Sequence, residues 1–374
     1  MLYLGMVHSI LSLILSVLIT LVLIKFQHLH ADFSGDHQSG PQKFHSHQVS
    51  RIGGVSIFLS LLLSMIIRGI MDSNFSGYLP LLLIAALPTF GIGLLEDFTK
   101  KVGVKVRLVV TAFSALLFGF FFNAWITSFH LPFIDQLFLI TGVPIIFTCF
   151  ASAGVANAYN IIDGFNGLAS MVGIITLGAI GYIGFKVGDV QIYSLSLLMI
   201  GAIGGFFVWN YPKGFIFLGD GGAYLIGFYI AACTILLVTQ HSEVSPWFAL
   251  LVNAYPVTET LFTIWRRSIH QGKNPGLPDA AHFHSLVYRR VVRWAGTHPV
   301  QNTQEMFGRN AKTSPYLWLL SSLGVFPAIL FWNNTLALQI SCLVYCLIYI
   351  WLYRCIVRFK VFKFTPPPPG IKNK

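Results

Sequence analysis

The sequence predicts an all-α polytopic integral membrane protein with about eleven transmembrane helices, and three observations carry that reading. Of its 374 residues, 55% are hydrophobic and only 10% charged, with a mean hydropathy of +0.72. A soluble domain carries roughly a quarter charged residues. Apolar runs recur at about the twenty-residue length that crosses a hydrocarbon core. The cations, finally, gather on alternate connections between those runs.

The runs lie near 5–25, 52–70, 79–95, 108–122, 136–156, 168–185, 192–208, 222–240, 247–265, 315–332 and 336–353. No Lys or Arg precedes the first run, and Lys25 follows it, so the run is expected to anchor with its N-terminus outside rather than to be a signal peptide. That threading puts 27–51, 96–107, 158–167, 209–221, 266–314 and the tail 354–374 on one face. All but Arg68 and Lys186 of the 24 Lys and Arg residues fall there or at its edge. The positive-inside rule makes this face, and the C-terminus, cytoplasmic. Residues 1–353 then form a single transmembrane domain, followed by a basic tail with a polyproline run at Pro366–Pro369. The net charge of +11 is explained by cytoplasmic loops facing an anionic leaflet, so the bilayer, not nucleic acid, is the expected partner. Five cysteines without CxxC spacing read as reduced structural residues.

Acids are scarce, which makes their positions informative. Glu96 and Asp97 end the third span, Asp163 follows the fifth, and Asp220 precedes the eighth, all at the cytoplasmic face. Each alone reads as a helix cap or interfacial charge. Together, beside many cations, they suit a Mg²⁺–diphosphate site, because Mg²⁺ takes a few carboxylate oxygens and shares its shell with phosphate and water. Glycines 219, 221 and 222 would let backbone N–H groups approach a phosphate. In the long loop, His282 and His284 read as phosphate contacts, a solvated loop or, with no third close ligand, a zinc pair. His45 and His47 read as a solvated loop, whereas Arg51 stands before Gly53-Gly54 at a helix start. Glu259 lies inside the ninth span, seven residues before Arg266 and so on the same helix face, where a structural ion pair or hydrogen bond is expected.

In this order the segments resemble the polyprenyl-phosphate N-acetylhexosamine-1-phosphate transferase family, closest to its undecaprenyl-phosphate N-acetylglucosaminyl-1-phosphate transferase branch. The similarity runs from about residue 41 to 290. The resemblance implies a catalytic membrane domain in the bacterial plasma membrane. It would transfer a hexosamine 1-phosphate from a UDP-activated N-acetylated sugar to undecaprenyl phosphate, with Mg²⁺ as cofactor and Mn²⁺ as a substitute. It assigns Glu96, Asp97 and Lys100 to the lipid phosphate, with Asp97 as proton acceptor. It assigns Asp163 and Asp220 to the metal, and Asn157, Asn160, Asn210, Phe217, His282, His284 and Arg51 to the nucleotide-sugar diphosphate. Three departures stand out: Glu96 where many members have Asp, Asn166 in place of an acid, and Ser285 in place of a third histidine. They direct the expectation towards N-acetylglucosamine or a deoxy-N-acetylhexosamine, used for O-antigen-like surface polysaccharide. Homodimerisation is left open. The rival class, a transporter or flippase, would call for internal repeats and ionisable groups near the midplane.

Overall fold

The computed structural model describes residues 2–29, 49–71, 77–272, 279, 281–292 and 310–358. His45, His47 and Pro366–Pro369 lie outside the described residues. Among those described, nine helices are long and apolar enough to cross a membrane. In chain order the long helices and their shorter companions are α1 (Leu2–Lys25), α2 (Gly53–Met71), α3 (Tyr78–Thr99), α4 (Val104–Phe122), α5 (Val143–Ile162), α6 (Leu168–Lys186), α7 (Val190–Asn210), α8 (Gly219–Gln240), α9 (Pro246–Val252), α10 (Ala254–Trp265), α11 (Phe283–Val287), α12 (Ser314–Leu330) and α13 (Thr335–Val357). The protein is an all-α, multi-pass membrane protein.

Two of the expected spans differ. The fifth begins at Val143, not near 136, because Gly142 adopts φ +95 and Pro144 opens the helix. The apolar stretch before it is cut into a short helix over Pro132–Asp135 and a 3₁₀ turn over Leu137–Leu139. In consequence α5 runs on to Ile162 and carries Asn157 and Asn160 on the helix, not in a loop. The ninth span is two helices. Asn253 breaks it at φ −102, ψ 19, just before Pro256, whose ring and missing N–H oppose a continuous helix.

At the centre stands α8, enclosed along nearly its whole length and packed on α2, α3, α5 and α6. Lipid supplies no hydrophobic drive between helices, so close approach of small residues does the holding. A Cβ on Gly54 would run into the backbone of Gly222, and one on Gly93 would sit 2.7 Å from the Cα of Gly221. Both contacts fall at the first turn of α8, and they draw α2 and α3 against it. That turn is the foundation of the polar pole of the molecule.

Candidate active site

Gly219 turns the chain into α8 at φ +75, where a Cβ would overlap the Arg51 carbonyl. The first backbone N–H groups of a helix have no partner within it and present positive charge. Here the Asp97 carboxylate, in the last turn of α3, takes two of them: the N–H of Asp220 donates to one oxygen and that of Gly221 to the other, both at 2.8 Å. Asp97 is 1% exposed. The segment before α2 lies alongside: Phe217 N–H donates to Ser50 O at 2.8 Å, and Gly53 and Gly54 N–H donate to Phe217 O and Leu218 O, each at 2.9 Å. This ladder sets Arg51 over the helix start. Its guanidinium reaches one Asp220 oxygen at 3.0 Å and lies 3.8 Å from Asp97, while Arg107 of α4 pairs with the other Asp220 oxygen. The Arg107 guanidinium also stands 5.6 Å from the Tyr224 ring centre, and the Tyr224 hydroxyl donates to Asn157 Oδ1 at 2.9 Å.

Asp163, at the C-terminal cap of α5, is different. Its carboxylate accepts no hydrogen bond from the described residues, and burial pushes it up to about 7 although Arg51 pulls the other way. The turn that carries it is pinned by Asn210, whose Oδ1 accepts from Gly167 N–H at 2.6 Å while its Nδ2 donates to Ile216 O at 2.7 Å. Asn210, expected at the nucleotide sugar, instead spends both ends of its amide fastening the two loops that flank the site.

The histidine segment closes the third side. His284 stacks on His282, with centroids 5.3 Å apart, and its ring would meet a Cβ on Gly164 at 2.7 Å, so it lies against the turn that follows α5. Burial, helped by His282, pushes His284 down to about 3, which leaves it neutral at physiological pH. Glu259 bonds to His282, not to Arg266, which pairs with Asp279 instead. Burial raises Asp279, but the Arg266 bond and the Ala281 N–H outweigh it and hold it below the usual carboxylate range. Glu96 accepts from Val102 N–H at 2.6 Å, and Lys100 caps α3 in the left-handed region, exposed.

The structure thus gathers Arg51, Asp97, Asn157, Asp163, Phe217, Asp220, His282 and His284 at one pole, with Glu96, Asn160 and Lys100 on the same ends of α3 and α5. Two expectations change. Asp97 is committed to the α8 N-terminus, so it is placed to hold the site, not to meet a lipid phosphate. Asn166 is buried, and its side-chain Nδ2 donates to Pro212 O while its backbone bonds to the Asn310 and Ser314 side chains, so the residue that departs from the family pattern braces the loop before α8. Arg107 was missed. It appeared only as one more cytoplasmic cation, and its one signal was its place in the first turn of a span. Among the described residues no three His, Cys, Asp or Glu side chains converge on a point. Mg²⁺ needs no such cage: one or two carboxylates suffice when phosphate and water complete the shell. The unengaged Asp163 carboxylate fits that demand. Asp220 fits it by exchanging one of its two guanidiniums.

A helical membrane bundle that assembles acids, guanidiniums and imidazoles at one pole has the build of an integral-membrane enzyme. Residues 79–238, which run from α3 into α8 and include every acid discussed except Glu259 and Asp279, match the model of glycosyl transferase family 4. Over 75% of the chain and 77% of the relative, 27% of residues are identical to a probable undecaprenyl-phosphate N-acetylglucosaminyl 1-phosphate transferase of Bacillus subtilis (strain 168). An undecaprenyl-phosphate alpha-N-acetylglucosaminyl 1-phosphate transferase of Thermotoga maritima is 29% identical over 68% of the chain and 72% of the relative. A phospho-N-acetylmuramoyl-pentapeptide-transferase of Lactobacillus helveticus is 27% identical over 68% and 80%. The chain is thus similar to glycosyl transferase family 4 over residues 79–238, and to undecaprenyl-phosphate N-acetylglucosaminyl 1-phosphate transferases at 27% and 29% identity.

Proposed function

We propose that this protein transfers an N-acetylhexosamine 1-phosphate from a UDP-sugar to undecaprenyl phosphate and releases UMP, at the cytoplasmic face of the bacterial plasma membrane. The observation that carries the reading is the Asp163 carboxylate, which accepts no hydrogen bond from the described residues, near Arg51, which converges with Arg107 on Asp220 at a helix N-terminus. Two anions must meet in this reaction. A lipid-phosphate oxygen attacks the β-phosphorus of the UDP-sugar in line; the bond from that phosphorus to the UMP oxygen breaks, and UMP carries the electron pair away. The chief barrier is charge, so positioned cations matter more than a strong base. A phosphate monoester has its second pKa near about 6 and is mostly dianionic at neutral pH, so the reaction needs no residue to remove a proton.

Arg51 and Arg107 bind and orient phosphate oxygens, and exposed Lys100 draws the lipid headgroup to the pole. Asp97 holds the α8 N-terminus in place, and Asn157, Asn160, Phe217 and His282 flank the nucleotide sugar. Asp163 and Asp220 would hold the Mg²⁺ (or Mn²⁺), which when bound neutralises the diphosphate and stabilises the leaving UMP. N-acetylglucosamine is the first sugar to try, and the lipid-linked product would prime surface polysaccharide.

The test is to incubate purified protein with undecaprenyl phosphate and a panel of UDP-sugars and follow UMP and the lipid product. UMP release that requires undecaprenyl phosphate is the expected result. Absence of UMP release with every UDP-N-acetylhexosamine would overturn the reading.

A further inference from the structure

Glu259 is a carboxylate inside a membrane-spanning stretch and is 1% exposed, a placement that calls for a purpose. Four donors from three segments surround it. The Tyr349 hydroxyl of α13 donates to Oε2 at 2.7 Å, and Phe283 N–H donates to Oε1 at 3.2 Å. The Thr263 hydroxyl is 3.4 Å from Oε1, and His282 Nδ1 is 3.0 Å from it. A carboxylate only accepts, so Nδ1 carries the proton in that bond. The imidazole is thereby fixed in one orientation, with Nε2 left as the atom free for a ligand.

The bonds around this core hold the rest of the loop. Tyr353, one turn after Tyr349 on α13, donates to Ala281 O at 3.1 Å, and Arg290 donates to Ile356 O at 2.7 Å at the end of the same helix. Phe283 packs on Tyr349 with centroids 5.3 Å apart. Every one of these contacts converges on residues 281–290, and His282 is the member that stacks on His284 beside Gly164.

We propose that Glu259, itself clamped by Tyr349 of α13, is the positioning residue that orients His282 towards the phosphates of the nucleotide sugar. This rests on the reading of His282 as a diphosphate contact. An apolar side chain would fill the same space without the cost of desolvating a carboxylate, so stability alone does not account for the charge. Loss of such a supporting partner lowers activity about 10- to 100-fold where it orients a functional histidine.

The experiment is a double-mutant cycle on the full chain in nanodiscs, following UMP release with UDP-N-acetylglucosamine and undecaprenyl phosphate varied in turn. Glu259→Gln is expected to lower kcat/KM for the UDP-sugar about 10- to 100-fold while KM for the lipid stays within about two-fold. Glu259→Asp should recover part of the loss. His282→Ala should lose at least as much, and adding Glu259→Gln to it should cost nothing further, since coupled residues are non-additive. Losses that multiply, or equal damage to both substrates, would overturn the proposal and leave Glu259 a packing element. A His282→Ala enzyme of full activity would overturn the underlying reading of the histidine as well, which distinguishes the two failures. If Glu259→Gln does not fold, Tyr349→Phe serves in its place. It keeps the ring packing and should give a several-fold loss that vanishes in the His282→Ala background; persistence of the loss there overturns the proposal.

Discussion

Two regions of the same pole treat their acids in opposite ways. Where α3 meets α8, every carboxylate oxygen is engaged: Asp97 by two backbone N–H groups, Asp220 by Arg51 and Arg107. At the end of α5, Asp163 is half-buried, and its carboxylate accepts no hydrogen bond from the described residues. Burying an ionised group without partners is expensive, and a fold tolerates it where a ligand supplies the missing charge. On the function proposed above, the first region presents cations and gives up an Asp220 oxygen only by exchange, whereas the Asp163 carboxylate is open to a ligand. Nothing in the residue types separates an Asp of one kind from an Asp of the other. The difference lies wholly in which helix end each one meets.

The sharpest way to break this comparison is Asp163→Asn. It should lower kcat by about 1,000-fold, since it removes charge that acts in the transition state. The unfolding temperature should hold or rise, because a half-buried acid that accepts no hydrogen bond from the described residues is gone. Chelation with EDTA should reproduce the activity loss in the parent protein, and Mg²⁺ or Mn²⁺ should restore it there but not in the variant. A variant that loses stability and activity together would place Asp163 with the architecture instead.

Arg107→Ala comes next, with an expected loss of about 100-fold in kcat/KM for the UDP-sugar, and here thermal stability should fall too. Removing one partner of a buried ion pair leaves the other charge uncompensated, at a cost of about 3–5 kcal/mol. Asp97→Asn should follow the same pattern more mildly. Its amide NH₂ must face a backbone N–H, a clash worth about 1–3 kcal/mol. Thermal unfolding and UMP release measured on the same preparations check both. Full stability in Asp97→Asn would mean that the α8 N-terminus does not depend on this carboxylate.

Much of this was legible beforehand, for reasons that also mark its limit. Hydropathy and cation placement located the apolar segments, because length and charge act locally along the chain. The acids at the helix ends were found since they are rare in so apolar a sequence. The partners were not. Glu259 shares a helix face with Arg266, yet it bonds to His282 across 23 residues of chain, a pairing set by where residues 281–283 lie against α10. Asn210 was placed at the ligand by its motif, whereas the fold uses it as a brace. The break at Asn253 was hidden because Pro256 within an apolar run is equally compatible with a kinked span. Arg107 is one cation among many in the basic connections, and its burial against Asp220 is what sets it apart.

The smallest effect expected is on the pH dependence of stability, and it has opposite signs for Asp279 and Asp163. Asp279, paired with Arg266, is held below its ordinary value of 3.8. The unfolded chain then binds the proton more readily, so this group stabilises the fold above about pH 4 and the contribution fades as pH drops through its folded value. Asp163 is raised from 3.8 to about 7. Between those values the folded protein holds the extra proton, so stability falls as pH rises across that window and stays lower above it. Unfolding temperatures taken in EDTA from pH 5 to pH 8 should therefore drop by a few degrees in the parent protein. They should drop less in Asp163→Asn, whose advantage over the parent grows with pH, while Asp279→Asn should run parallel to the parent at a lower level. Mg²⁺ added at pH 8 should close the gap between the parent and Asp163→Asn by stabilising the parent alone. Parallel curves for Asp163→Asn and the parent would show that the carboxyl has a partner after all, and the contrast between the two regions would be lost.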